Sequence, residues 1–209
     1  VYRSVAKLQL VLDIASGNDV TGKFADKSNV AWDMHNVNLN GNIYSSNAST
    51  VTVPSSSAYQ DNTAFDKYPV GVSGKEWSTY LPECLNSTKA KGATVAVTAF
   101  SAGRTCLIIR TGASLAEYRY YRIDLYDQTA KNFLDIKRNH FYTVTITKVM
   151  SDGYLSAVEA LGNAPSNLEY TISATDEGAA ISISNGQYSL QLSHDEVFIF
   201  DTKTAVHEM

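Results

Sequence analysis

Apolar and polar residues alternate along several stretches of this chain with a period of two. In residues 3–14, the apolar positions that share one side of an extended chain are Ala6, Leu8, Leu10, Leu12 and Ile14. Polar residues such as Lys7 and Gln9 occupy the opposite side. A period of two is typical of a half-buried β-strand. The pattern therefore predicts a strand over 3–14 with one apolar face.

Further strands are predicted along the rest of the chain. They cover residues 30–43, as a strand pair or an extended segment with Val37 and Leu39 inward, then 94–100, 105–110, 117–127, 138–149, 168–173, 180–184, 187–192 and 197–200. The Gly-containing spacer 101–104 predicts a hairpin, and the dipeptide Asn185-Gly186 predicts another. A short helix is predicted over 156–162. Recurring strands with no sustained helical period predict an all-β sandwich or barrel.

The character of the chain changes at two places. Residues 44–92 are rich in Ser and Asn and hold three of the four prolines, so long surface loops with short strands are predicted there. After Pro165 the strand-like pieces are too few to build a core of their own. We therefore predict an N-terminal β-sandwich domain over 1–160. Residues 161–209 are predicted to be a C-terminal β extension or a partial second domain.

Composition narrows the class of protein. The 209 residues are 44% hydrophobic and 18% charged, which argues against disorder. Thirteen Tyr against 7 Phe, with abundant Ser, Thr and Val, favour strands. A net charge of -4 gives no basic surface for nucleic acid. Val1 is not a natural translation start, so we expect that something upstream was removed or left out.

The histidines and other candidate catalytic residues are not arranged in a recognised catalytic or metal-binding motif. The histidines are scattered at His35, His140, His194 and His207, without metal-ligand spacing. No nucleophile elbow, phosphate loop or dinucleotide fingerprint occurs. The sequence therefore predicts no catalytic residue, no cofactor and no metal site, and we expect the protein not to be an enzyme.

One aromatic strip is a candidate binding surface. On the predicted strand 117–127, Tyr118, Tyr120, Arg122 and Tyr126 share a face. Tyrosine rings stack on sugars and supply rigid contact area to protein partners, which makes a glycan or a host protein the candidate ligand. The alternative is that these rings form cross-strand pairs that only stabilise the sheet.

Two cysteines, Cys84 and Cys106, are too few for a disulfide scaffold or a thiolate metal site. They are a candidate disulfide if the compartment is oxidising. The alternative is two buried free thiols.

The segments 3–12, 120–127 and 136–149 together resemble the fimbrillins, the type V pilus subunits of Bacteroidales. RSVAKLQLVL (3–12) is similar to the opening strand of fimbrillin domains. IKRNHFYTVTITKV (136–149) is similar to their Arg-Asn-His-x-Tyr strand, and YYRIDLYD (120–127) resembles the segment that pairs with it. The resemblance implies a transthyretin-like or immunoglobulin-like Greek-key β-sandwich. It also implies export as a lipid-anchored precursor and a place in a fimbria on the cell surface.

The resemblance also implies a mode of assembly. In that family a protease trims the first strand, and the vacated groove accepts a donor strand from another pilus subunit. We therefore expect an assembly groove at an unpaired strand edge beside Ala6, Leu8, Leu10, Leu12 and Ile14. The alternative is that 3–14 is an ordinary edge strand. The alternative function is a surface-displayed module that binds a carbohydrate or host ligand without polymerising.

Overall fold

A computed structural model describes residues 5–38, 77–88, 103–127 and 129–176, together with four short strands outside these ranges. The strands are β1 (Ala6–Leu12), β2 (Val30–His35), β3 (Val37–Asn38), β4 (Tyr59–Gln60), β5 (Tyr68–Val70), β6 (Ser78–Leu81), β7 (Cys106–Thr111), β8 (Arg119–Asp124), β9 (Tyr126–Asp127), β10 (Asn132–Phe133), β11 (His140–Val149), β12 (Leu168–Asp176), β13 (Ile181–Ser184) and β14 (Ser189–Leu192). The helical pieces are α1 (Ala157–Gly162) and two 3-10 turns, Lys27–Asn29 and Asn86–Thr88. The predicted all-β class is confirmed.

Two four-stranded sheets form the body of the protein. Sheet A has the strand order β12-β11-β1-β6, and sheet B has the order β5-β2-β7-β8. One apolar cluster joins the facing sides of both sheets, with Leu8, Leu10 and Tyr142 from sheet A and Trp32 and Tyr121 from sheet B. Burying this cluster is the main stabilising contribution, because apolar side chains leave water on both inner faces.

Strand β1 confirms the predicted alternation but occupies an unexpected place. Ala6, Leu8 and Leu10 are completely buried, whereas the residues between them are partly exposed. β1 runs parallel to β11, with which it pairs from Lys7 to Leu12. On its other side it pairs with β6 from Ala6 to Gln9, and the Leu10 N–H donates to the Trp77 carbonyl at 3.0 Å.

The predicted unpaired edge beside β1 is therefore wrong at Leu8, which has ladder partners on both sides. It is also wrong at Leu10, which pairs with β11 on one side and donates to the Trp77 carbonyl on the other. Leu12 pairs with Ile146, and Ile14 packs against the core beyond the end of the strand. The apolar side chains of β1 face the inside of the sandwich.

Strand β7 is also a central strand. β2 pairs with it on one side and β8 on the other, from Cys106 to Thr111 in both cases. The hairpin predicted between 94–100 and 105–110 is therefore wrong, because neither side of β7 is available to it. Residues 94–100 themselves lie outside the described residues, as do Leu39 and 197–200. A continuous apolar run marks a strand that is covered on both faces, and β7 has that pattern.

The C-terminal part contributes to the first sheet. β12 pairs with β11 from Leu168 to Asp176, with one irregularity in register near Lys148. Residues up to 176 thus belong to the sandwich, and the predicted division between 160 and 161 falls within α1. β13 and β14 pair with each other in antiparallel register, as predicted, and form a two-stranded sheet.

The connection between β11 and β12, residues 150–167, is called the strap below. It leaves sheet A, carries α1 across the outer face of sheet B, and returns to sheet A. Ala160 and Leu161 of α1 pack against Cys106 and Ile108 of β7. The helix begins after Ser156, whose hydroxyl accepts from the Glu159 N–H at 3.1 Å. The predicted helix over 156–162 is confirmed.

Candidate functional site

A cleft of about 680 Å³ opens between the two sheets along one side of the sandwich. Its walls come from β8 and β9 (Arg122, Asp124 and Tyr126), from β12 (168–171), from the strap (Met150, Ala164 and Pro165) and from Phe133. β8 and β12 are the terminal strands of their sheets. In the part of the chain that the structure describes, β12 has a ladder partner only on its β11 side. The cleft therefore lies along a sheet edge.

Arg122 forms the polar floor of the cleft. Its side chain is 2% exposed, and its Nε lies 2.7 Å from Asp124 Oδ1. Its Nη1 donates to the Leu161 carbonyl at 2.6 Å and to the Asn163 carbonyl at 3.3 Å. Burial alone would lower the pKa of Arg122, but the side chains of Cys106 and Asp124 outweigh it and the net shift is upward. The guanidinium therefore stays charged and joins β8 to the strap.

The outer face of sheet B places three ionisable residues in one row. Cys106 is the cross-strand partner of His35 on one side and of Asp124 on the other. Burial, together with the charge of Arg122, lowers the pKa of His35 to about 4. Burial raises the pKa of Cys106 to about 12. At neutral pH the row therefore holds a neutral imidazole and a protonated thiol, which is not an activated nucleophile. This row could not be predicted from the sequence, because only the strand register brings the three residues together.

The two cysteines are free thiols, so the structure agrees with the second alternative and not with the candidate disulfide. Cys84 belongs to the core between the sheets, whereas Cys106 points to the opposite face of sheet B beneath α1. Because successive side chains of a strand point to opposite faces, Cys106 faces away from the core that its neighbour Leu107 enters.

The four residues of the predicted aromatic strip separate into two places. Arg122 and Tyr126 line the cleft, where Tyr126 packs edge-on against Phe133 with ring centroids 5.0 Å apart. Tyr118 and Tyr120 are half-buried neighbours whose ring centroids lie 6.4 Å apart. The guanidinium of Arg110 lies over the Tyr118 ring, 4.2 Å from its centroid. Arg122 is thus not part of an exposed strip, because the strap covers it.

The Arg-Asn-His-x-Tyr segment forms a tight corner before β11. Arg138 and Glu83 make a buried ion pair. Asn139 has a φ of 59°, in the left-handed region, and its N–H donates to the Val5 carbonyl at 3.1 Å. The Tyr142 hydroxyl donates to the Asp135 carbonyl at 2.8 Å and accepts from the Lys137 N–H at 2.9 Å. These contacts fix the entry of β11 and the start of β1, so the motif has a structural role.

Within the described ranges, no group of three or more His, Cys, Asp and Glu side chains is arranged to hold a metal ion. Those ranges also contain no helix with the length and apolar character needed to cross a membrane.

No family model matches the chain. Over 68 residues, however, the chain is 41% identical to the major fimbrium tip subunit FimE of Porphyromonas gingivalis. The predicted resemblance to the fimbrillin family is confirmed. The matched segment is 32% of this chain but only 12% of the length of that tip subunit.

The chain also resembles solved structures of low sequence identity. The tip fimbrial protein Mfa3 of Porphyromonas gingivalis, with C-terminal truncation, has a TM-score of 0.39 and 16% identity over 84% of this chain and 52% of that one. A candidate cell adhesion protein of Bacteroides eggerthii has a TM-score of 0.45 and 16% identity, over 84% of this chain and 56% of that one. This chain thus spans about half the length of each.

Proposed function

We propose that this chain is a structural and adhesive subunit of a cell-surface fimbria, exported as a lipid-anchored precursor and assembled with other pilus subunits. The observation that carries the proposal is the 68-residue segment that is 41% identical to a fimbrium tip subunit. The buried thiol and imidazole of the His35–Cys106–Asp124 row agree with a structural role, because neither is activated for catalysis.

Immunogold electron microscopy of intact cells that produce the protein tests this function. Antibodies raised against the purified chain are expected to label surface filaments, and the label should vanish when the antibodies are first adsorbed with that chain. Gold confined to the cell interior, with none on filaments, would overturn the proposal.

Assembly by β-strand exchange is part of the proposal, and the cleft beside β12 is its site. β1 does not supply such a site along Leu8 and Leu10, since it is paired on both sides. Four consecutive residues of β12, 168–171, line the cleft, and the side chains of Leu168 and Tyr170 are buried beneath it. An extended strand laid along a sheet edge gains main-chain hydrogen bonds there, and its alternate side chains fill the apolar wall.

The incoming strand needs apolar residues at alternate positions. The C-terminal sequence of this chain carries such alternation in 187–192 and a short apolar run in 197–200. We therefore propose that the C-terminal segment of another copy is the donor.

A second function has one observation in its favour. Tyr118 lies half-buried beneath Arg110, beside Tyr120, and this ring pair could form the surface of a module that binds a glycan or host protein without polymerising. A glycan array separates the two functions. Binding that is lost in Tyr118→Ala would favour the ligand-binding module, and the absence of any binding would argue against a glycan-binding one.

A further inference from the structure

The strap borders the cleft and is attached to sheet B through α1, a backbone bridge and the guanidinium of Arg122. α1 has six residues, well below the roughly 12–15 at which an isolated helix becomes even marginally stable in water. Its buried side chains are Ala160 and Leu161. Before α1, the strap residue Tyr154 exchanges backbone hydrogen bonds of 2.8 and 2.9 Å with Tyr120 of β8. The position of the strap therefore depends on its attachment to sheet B.

Arg122 supplies the charged part of that attachment. The carbonyls of Leu161 and Asn163, which accept from its guanidinium, lie at the C-terminal end of α1. Carbonyls at that end of a helix lack partners within the helix. The same guanidinium lines the cleft, and two strap residues after α1, Ala164 and Pro165, line it as well. One side chain thus touches both the cleft and the segment that borders it.

We infer that Arg122 is a latch that controls strand insertion, an inference that rests on the proposed strand exchange at the cleft. In this structure the strap carbonyls hold the guanidinium. An inserting strand presents its own backbone carbonyls, which replace those of Leu161 and Asn163 as the strap moves away from the cleft. Because unpaired N–H groups on a buried guanidinium are strongly disfavoured, this replacement keeps the two arrangements close in free energy. Arg122 is a positioning residue that acts through the strap.

The rate at which the purified chain incorporates a fluorescent synthetic peptide tests the latch. The peptide corresponds to residues 187–200 and is followed by fluorescence anisotropy. Arg122→Gln replaces the charged donor with a weaker neutral one. Since a hydrogen bond from a charged group changes an equilibrium constant by about tenfold or more, we expect incorporation to become about tenfold faster. Hydrogen exchange over 157–163 should accelerate as well.

Arg119→Gln is the matched control. Arg119 lies on the same strand, but its guanidinium donates to the neighbouring Tyr118 carbonyl and not to the strap. We expect this variant to incorporate the peptide at the wild-type rate. An equal acceleration in both variants would overturn the latch, because it would show a general loosening of β8.

A second variant tests the strap without changing Arg122. Ala160→Cys places a thiol in the cluster that contains the native Cys106, so that oxidation can fasten α1 to β7. With the cross-link verified by intact mass spectrometry, incorporation should stop and should return on reduction. Incorporation at the wild-type rate by the cross-linked protein would overturn the latch and leave strand exchange standing. Failure of every protein, wild type included, to incorporate the peptide would overturn strand exchange and the latch with it.

Discussion

At the scale of single residues, several polar groups are buried where the apolar pattern of the sequence gives no reason to expect them. Arg122, Asp124 and His35 lie on the outer face of sheet B and are nonetheless buried. Arginine and aspartate are seldom buried unless paired, and here Arg122 pairs with Asp124 and with the strap. The strap that covers Arg122 crosses sheet B from a distant part of the sequence, and periodicity does not encode such a long-range feature.

His35 should make stability depend on pH. Its pKa is lowered from 6.5 to about 4 by burial and by Arg122, so the folded protein binds this proton less readily than the unfolded chain. Stability is therefore full above pH 6.5 and falls as the pH decreases towards about 4, by roughly 3 kcal/mol in all. Urea unfolding at pH 7 and pH 4.5 should show a smaller loss in His35→Gln than in the wild type.

His140→Gln is the control for this prediction, because His140 lies on β11 and is only partly buried. A loss reduced equally in His140→Gln would show that the effect is not specific to the buried imidazole. Equal losses in the wild type and in His35→Gln would show that other groups cause the acid destabilisation.

Gly153 lies so close to β8 that there is no room for a side chain. A Cβ added there would lie 2.7 Å from the Tyr120 carbonyl oxygen and 2.9 Å from the Tyr121 ring. Since backbone and a buried ring must shift, we expect Gly153→Ala to lower the free energy of unfolding by about 1–3 kcal/mol. At Gly162 an added Cβ meets nothing within 4 Å, so Gly162→Ala should have little effect. Similar urea midpoints for both variants would contradict the close approach.

At the scale of elements, the sequence predicted which face of a strand is apolar better than it predicted strand neighbours. The alternation in β1 and β11 is reproduced in their burial. The neighbours of β1, however, are β11 and β6, which lie far along the chain. Periodicity is a local property, whereas strand pairing depends on contacts between distant segments, and the predicted edge at β1 was wrong for that reason. The candidate cleft was missed too, because it lies between strands from both sheets.

A single lysine substitution tests whether another strand is added at the edge of β12. Thr171 lines the cleft, and a lysine at a sheet edge opposes the addition of a further strand. We expect Thr171→Lys to prevent the ladder of subunit multimers that unheated wild-type protein should show on denaturing gels. Thr145 is the cross-strand partner of Thr171 on β11 and does not line the cleft, so Thr145→Lys should keep the ladder. A full ladder in Thr171→Lys would place strand exchange elsewhere.

At the scale of the whole molecule, the sandwich includes β12, whereas β13 and β14 form a separate two-stranded sheet. Truncation after residue 176 should therefore keep a cooperative urea transition, because all eight strands of sheets A and B remain. Removal of residues 1–14 should abolish it, because β1 lies between β11 and β6 in the middle of sheet A. Circular dichroism during urea titration measures both. Loss of the transition in the first truncation would show that the tail completes the core.

The parallel pairing of β1 with β11 determines when the chain is able to fold. Lys7 lies opposite Phe141, so β1 leaves the ribosome long before its partner has been made. Until then the central pair of sheet A does not exist, and long-range pairings of this kind form slowly. A secretion channel accepts polypeptides that have not yet folded. If the chain is exported as we propose, this order of synthesis keeps it unfolded enough to pass through such a channel until residues 141–146 have been made.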